Sequence, residues 1–449
     1  MRFITAGLSA LIWGSGQVMN RQWLKGIMLF LVQVLFIRTE LSSGTWNVLT
    51  SAAGALDAGG NPVMHFRNAG FFTRGIWGLV TLGEIPRESS RVLVYDHSTM
   101  LMISGLIAVA CLVLFILVYI FNIKDAYTTR RRMEAGEKIT SVNSIKEGLE
   151  KNFEYISIAP GLILMMFVSM IPILFSFLVV FTNYNTYAIP PRYLVNWVGF
   201  QTFLDIIRLP IWSKTFLYLL TWTTIWAFTA AFSSYFAGML QATLLGSPLV
   251  RYKKLFRSIY MLPWAIPGFV SILTWRNALH SQGPINRFLV DLGFEAMPFL
   301  TDVNYARGVL ILVNMWLGFP YFMALISGVM ATINTEMYEA AQIDGANSPQ
   351  IFRHITFPYI LSATAPQLIF SVTYNFNNFG LVFFLTRGGP GNPDLQFAGA
   401  TDILITWIYK LTVDQRMYNY ASAMSILIFA LLATVSAVNL RRTRVFKEE

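Results

Sequence analysis

The sequence predicts an all-α integral membrane protein with about eight transmembrane helices and both termini cytoplasmic. Three observations carry that expectation. Of the 449 residues, 55% are hydrophobic and 12% charged, and a soluble domain carries roughly twice that charged share. Runs without charge, long enough for the about 20 residues that a crossing helix needs, recur along the chain. Of the 33 Lys and Arg, 19 fall in alternate connections, the bias that orients cytoplasmic loops. A single cysteine, Cys111, excludes an internal disulfide scaffold, and no Cys/His cluster suggests a metal. The net charge of +10 would point to nucleic acid in a soluble protein. Here Arg130-Arg131-Arg132 and Arg441-Arg442-Thr443-Arg444 flank spans, so the basic runs read as topology and contact with membrane lipid, with no nucleic acid.

Taken in order, the apolar stretch 3–19 is broken by Trp13-Gly14-Ser15-Gly16-Gln17 and reads as a re-entrant or interfacial segment. The first crossing is 24–37, short between Lys25 and Arg38, with Lys25 able to snorkel. An external loop, 38–97, contains the turn signal Gly59-Gly60-Asn61-Pro62 and is a candidate small cap. A second crossing runs past Asp96 and His97 through 98–123; residues 1–123 thus form an N-terminal region with two crossings. Residues 124–154 mix both charges and read as a cytoplasmic linker, an amphipathic helix or a solvated tether. From there 155–440 forms a six-span block, with crossings at 155–191, 216–250, 258–275, 308–335, 355–386 and 417–440, and a basic tail at 441–449.

The function classes separate on what the spans contain. No Gly-x-x-x-x-Gly-Lys-Ser/Thr phosphate loop occurs, so any ATP-driven step belongs to another polypeptide. The main spans lack the ionisable groups an ion-coupled carrier would usually place at mid-membrane. A membrane enzyme would need an acid–base pair, nucleophile or metal set. His65, His97, His280 and His354 lie in loops or at span ends without metal spacing, so no catalytic residue and no metal ligand is assigned.

One connection is unlike a plain loop. At 336–358, Tyr338 to Ile343 are helix formers, Gly345 permits a positive φ, and Ser348-Pro349 opens a second helix. Helix, bend and helix would make a knob for a partner's groove, the alternative being a simple connector. The segment resembles the EAA loop of ABC importer permeases, Glu-Ala-Ala, three residues, Gly, nine residues, Ile-x-Leu-Pro. Glu339, Ala340, Ala341, Gly345, Ile355 and Pro358 match at that spacing, and Phe357 stands where the family has Leu. The phrases Met261-Leu262-Pro263-Trp264-Ala265-Ile266-Pro267, Asn314-Met315-Trp316-Leu317-Gly318-Phe319-Pro320-Tyr321, Asn375-Phe376-Asn377-Asn378-Phe379 and Thr386-Arg387-Gly388-Gly389-Pro390 are similar to the maltose and maltodextrin permease subunit of MalF type. The likeness covers roughly 153–440. It departs at 183–214, about 30 residues where the enteric form carries a bulky external domain, and the first hundred residues match only in having two spans.

The resemblance implies a six-helix permease core, docking of Glu339, Ala340, Ala341 and Gly345 on an ATPase subunit, and alternating access. It also implies a second homologous permease, two ATPase copies, an extracytoplasmic solute-binding protein and an oligosaccharide substrate of maltodextrin type. Cofactors would be none on this chain, with ATP and Mg held by the ATPase. Two polar faces fit a hydroxyl-rich solute: Ser371, Tyr374, Asn375 and Asn378, and again Asn314, Leu317, Gly318 and Tyr321, recur at i, i+3, i+4 and i+7. On spacing alone such faces serve equally as interhelical hydrogen bonding. The resemblance implies that these eight bind substrate, with Tyr374 replacing a Phe. Pro263 and Pro267 form a gate or hinge, or a plain kink.

Overall fold

A computed structural model describes residues 1–44, 66–88, 95–137, 139–247 and 250–442, with side chains through Thr434. The Gly59–Pro62 turn signal and the basic tail beyond Arg442 lie outside the described residues. Among the described residues all regular structure is helical, and strand-like pairing is limited to the bridges Thr182–Trp197 and Gly391–Gly399. Two compact units form, Met1–Thr202 with Met417–Glu449, and Phe203–Arg416. The expected six-span block at 155–440 draws on both.

Five of the described helices are long and apolar enough to cross a membrane: Ser98–Glu134, Phe153–Val179, Pro210–Gly246, Val303–Met330 and Ser348–Phe376. Of the other three expected crossings, two are single helices and one is broken. Trp23–Ser42 is a 20-residue helix that carries Lys25, Arg38 and Glu40, and Tyr418–Arg442 is apolar through Thr434. The crossing expected at 258–275 is broken into Lys253–Tyr260, Leu262–Ala265 and Gly268–Ala278. Pro263 and Pro267 lack the N–H that would continue the ladder, and Pro267 holds Ile266 extended at φ −109°, ψ 135°. The crossing expected at 355–386 also divides, at Asn377 and Asn378, into Phe357–Phe376 and Phe379–Leu385.

In the first unit, the 3–19 stretch forms Arg2–Leu11 and Ser15–Met19, which fold back against Ser98–Glu134. Thr5 and Ser9 are buried while Phe3 and Leu11 stay exposed, the inverse of a water-facing helix and the arrangement that suits lipid. Gly14, at φ +81°, sits so close to Gly26 that a Cβ would meet its carbonyl oxygen at 2.0 Å. Polar groups hold this hairpin: Asn122 accepts from Gly14 N–H at 3.0 Å, and Lys25 pairs with Asp125 at 2.5 Å. The 38–97 loop is not all irregular, because Phe71–Thr81 is a helix that packs Gly75 and Gly78 on Ala108 and Leu101 of Ser98–Glu134. The linker holds one further helix, Ser141–Lys151, capped by Thr140.

In the second unit the centre is the pair Pro210–Gly246 and Val303–Met330. Small residues line the first helix, Ala227, Ala230, Ala231, Ser234, Gly238 and Ala242, all buried. They let the backbones approach, which in a membrane supplies the van der Waals contact that hydrophobic burial cannot. A Cβ on Gly238 would lie 2.5 Å from Phe322 Cβ and 2.7 Å from Met323 N. Tyr235 is fully buried and shares a 2.8 Å hydrogen bond with Thr364, tying in Phe357–Phe376. Gly238→Ala should therefore lower stability by about 1–3 kcal/mol through overpacking, read as a lower thermal midpoint of the purified protein in detergent. Gly308→Ala, whose new Cβ would meet nothing within 4 Å, should leave the midpoint unchanged or raise it.

Candidate functional site

The second unit carries a cavity of about 1010 Å³, open on one side, at the upper end for small-molecule sites. All eight residues expected to bind substrate line it, Asn314, Leu317, Gly318, Tyr321, Ser371, Tyr374, Asn375 and Asn378, as do Pro263 and Pro267. None of the described lining residues is charged. Two helix breaks shape its walls. The extended Ile266 and Pro267 turn Leu262–Ala265 away from Gly268–Ala278. Asn378 arrives as the cap of Phe379–Leu385, accepting from Leu381 N–H at 3.3 Å, and not on the continuous helical face that its spacing predicts.

The two readings of the polar faces, cleft lining and interhelical hydrogen bonding, meet in the same atoms. Asn314 donates to Ala230 O at 3.2 Å and to Ser234 Oγ at 3.3 Å. Asn375 donates to Ser371 O at 2.9 Å, and Asn378 donates to Asn314 Oδ1 at 3.3 Å and Asn375 Oδ1 at 3.4 Å. The Trp226 indole donates to Asn375 O at 3.0 Å, holding the helix end. Asn314 and Asn375 are 8% and 3% exposed, so their amide N–H groups are committed to the protein. A Cβ on Gly318 would strike Ser234 Oγ at 2.7 Å, so its missing side chain serves helix contact.

Groups left open to a solute are those the motifs missed as well as those they named. Trp264 stacks on Tyr321 with ring centroids 6.0 Å apart at 20°, and its indole donates to Leu317 O at 3.0 Å. Tyr321 donates to Gln367 Oε1 at 3.0 Å. Phe370 and Tyr374 line the cavity with exposed rings. Gln367 lies one turn before Ser371 on the same face, so its i−4 spacing was a readable signal. Trp264 stands in the Met261–Pro267 phrase, where only the two prolines were given a role.

The 336–358 segment is the helix, bend and helix that its residues predict. Thr335–Ile343 ends at Gly345, φ +78°, and Ser348–Ile351 starts from a reciprocal cap in which Asn347 and Gln350 exchange side-chain and backbone bonds. Glu339, Ala340 and Gly345 are exposed and Ala341 half-buried. Ala341, Gly345, Gln350 and His354 line a small groove between the helices. At the opposite end of Val303–Met330, Arg307 lies 4.0 Å from the Trp222 ring centroid and donates to Ala400 O at 3.0 Å. The adjoining Gly388–Asp402 turn closes on Asp402, which is fully buried and accepts from Gly399 N–H, Thr406 and Lys410. Burial pushes its carboxyl up, opposed by Lys410 and the N–H of Gly399.

Comparison with known proteins completes the picture. Residues 234–442 match the family model for the binding-protein-dependent transport system inner membrane component. The galactooligosaccharides transport system permease protein GanP of Bacillus subtilis is 36% identical over 98% of both chains. The maltodextrin transport system permease protein MdxF of the same organism is 36% identical over 99% of this chain and 96% of its own. These matches run through the N-terminal hundred residues, where sequence motifs had suggested only two shared spans. A bacterial ABC transporter involved in import of the acidic polysaccharide alginate shares the fold of one chain, with a TM-score of 0.53 at 22% identity, over 68% of this chain and 99% of that one. With relatives of this identity matched along their whole length, the chain belongs to the binding-protein-dependent transport system inner membrane components and is a multi-pass membrane permease of the ABC importer class.

Proposed function

We propose that this permease conducts a short neutral oligosaccharide, of maltodextrin type, through the cavity bounded by Asn314, Tyr321, Tyr374 and Asn378. One observation carries the reading: a lining of amides, hydroxyls and ring faces without a charged side chain. Hydroxyls of a neutral sugar find donors and acceptors there, and its C–H faces find the rings of Trp264, Tyr321 and Tyr374. A galacto-oligosaccharide is the second reading, favoured by the name of a relative as similar as the maltodextrin permease.

The partners follow from the same reading. A second homologous permease would complete the cleft, since the rings of Phe370 and Tyr374 stay exposed on this chain. A solute-binding protein would present the sugar on the external side. A pair of ATPase subunits, holding ATP and Mg, would grip the exposed knob around Glu339 to Gly345 on the cytoplasmic side, where both termini also lie. ATPase closure would then bias the helices attached to the knob, Val303–Met330 before it and Phe357–Phe376 after it, toward outward opening. The breaks at Pro263 and Pro267 and at Asn377 and Asn378 are where the path can hinge.

Two measurements test this. In proteoliposomes with the complete transporter, Tyr374→Ala should weaken oligosaccharide uptake roughly three- to tenfold in KM, the loss expected for one aromatic contact; unchanged uptake would sink the site. Glu339→Ala and Gly345→Ala should cut ATP-driven uptake roughly 5- to 150-fold, a coupling free energy of about 1–3 kcal/mol, while sugar binding to the detergent-purified complex stays intact. Retention of full uptake by both variants would remove the knob from the coupling path.

A further inference from the structure

The cavity has two polar levels, one made wholly of residues that the motifs named and one that joins a named residue, Tyr321, to an unnamed one, Gln367. Asn314, Asn375 and Asn378 form the first, tied to one another by hydrogen bonds. Tyr321 and Gln367 form the second, joined by the 3.0 Å bond from the tyrosine hydroxyl to Gln367 Oε1. Seven residues separate Asn314 from Tyr321 on Val303–Met330 and eight separate Gln367 from Asn375 on Phe357–Phe376. At the helical rise the levels stand about 10–12 Å apart along the two helices. Both line the same cavity.

The second level is the more available one. Gln367 and Tyr321 are exposed, whereas Asn314 and Asn375 are buried and spend their N–H groups on protein. With Oε1 taken by Tyr321, Gln367 keeps two amide N–H donors and Tyr321 keeps a hydroxyl lone pair, the set that a vicinal pair of sugar hydroxyls can satisfy. The Trp264–Tyr321 stack adds an apolar wall at this level. A single pyranose ring is shorter than the separation of the levels.

We propose that Gln367, held by Tyr321, is a specificity-determining residue that binds a second sugar ring, so that the cavity reads substrate length. The inference rests on the oligosaccharide reading above. It also implies that a single ring, too short to span the levels, cannot draw on both.

The test measures competition constants for glucose, maltose and maltotriose, with galactose and the matching galacto-oligosaccharides as a second series, on the complete transporter in nanodiscs. The unmodified protein should bind two and three rings more tightly than one. Gln367→Leu, which keeps bulk and removes the amide, should flatten that rise by roughly three- to tenfold, the worth of one neutral hydrogen bond, and leave the monosaccharide constant within about twofold. Tyr321→Phe should flatten it in the same sense, and the double variant should lose little more than the larger single loss, because both residues serve one subsite. Equal shifts for all lengths, no shift, or fully additive losses would overturn the proposal while leaving the oligosaccharide reading standing. Failure of every sugar to bind the unmodified transporter would overturn both.

Discussion

The close approach of Pro210–Gly246 to Val303–Met330 is the constraint on which the second unit depends. Within a bilayer two helices gain little from burying apolar surface, because lipid tails are as apolar as leucine. What holds them is contact at short range and hydrogen bonds between polar side chains and backbone. Gly238 and Gly318 remove the Cβ atoms that would keep the helices apart. Ser234 and Asn314 then reach across the gap, Asn314 bonding Ala230 O and Ser234 Oγ.

That contact also creates the cavity wall. Once Asn314 is anchored, its Oδ1 receives Asn378, and Asn378 receives support from Asn375, so the end of one helix and the start of the next are pinned to the central pair. A break in a membrane helix exposes backbone groups, which are tolerated where they face protein or a water-filled cavity. Both breaks here fall on the cavity, one made by prolines and one by asparagines. The Trp226 indole adds a second donor to the Asn375 carbonyl, which already accepts from the Asn378 N–H at 3.2 Å. The residues that shape the cavity are thus largely spent on building it, and the open hydrogen-bonding and ring surface comes from Trp264, Tyr321, Gln367, Phe370 and Tyr374.

The first unit solves a different problem with the same means. Its N-terminal hairpin packs polar side chains inward, around Asn122 and the Lys25–Asp125 pair, and leaves apolar ones outside. Periodicity marks Arg2–Leu11 as amphipathic but cannot say which face turns inward, since that depends on whether lipid or water lies outside. The helix Phe71–Thr81 leaves no crossing signal in the sequence for a related reason: at 11 residues it is too short to span, and only glycine contact with Ser98–Glu134 reveals its role.

By itself the sequence determined the membrane class, the long uncharged crossings and the helix-bend-helix at 336–358, while the eight residues that line one cavity were named by spacing together with a family resemblance. These follow from local chemistry: hydrophobicity over about 20 residues, a glycine with positive φ, and i, i+3, i+4 spacing. Tertiary structure alone decided that Asn314 and Asn375 fasten helices together, that Gly318 packs against Ser234, and that Gln367 and Trp264 stand open in the cavity. The physical reason is that a polar side chain's role is set by which partner reaches it first. That partner lies on another helix, dozens of residues away in the chain, where no spacing rule extends.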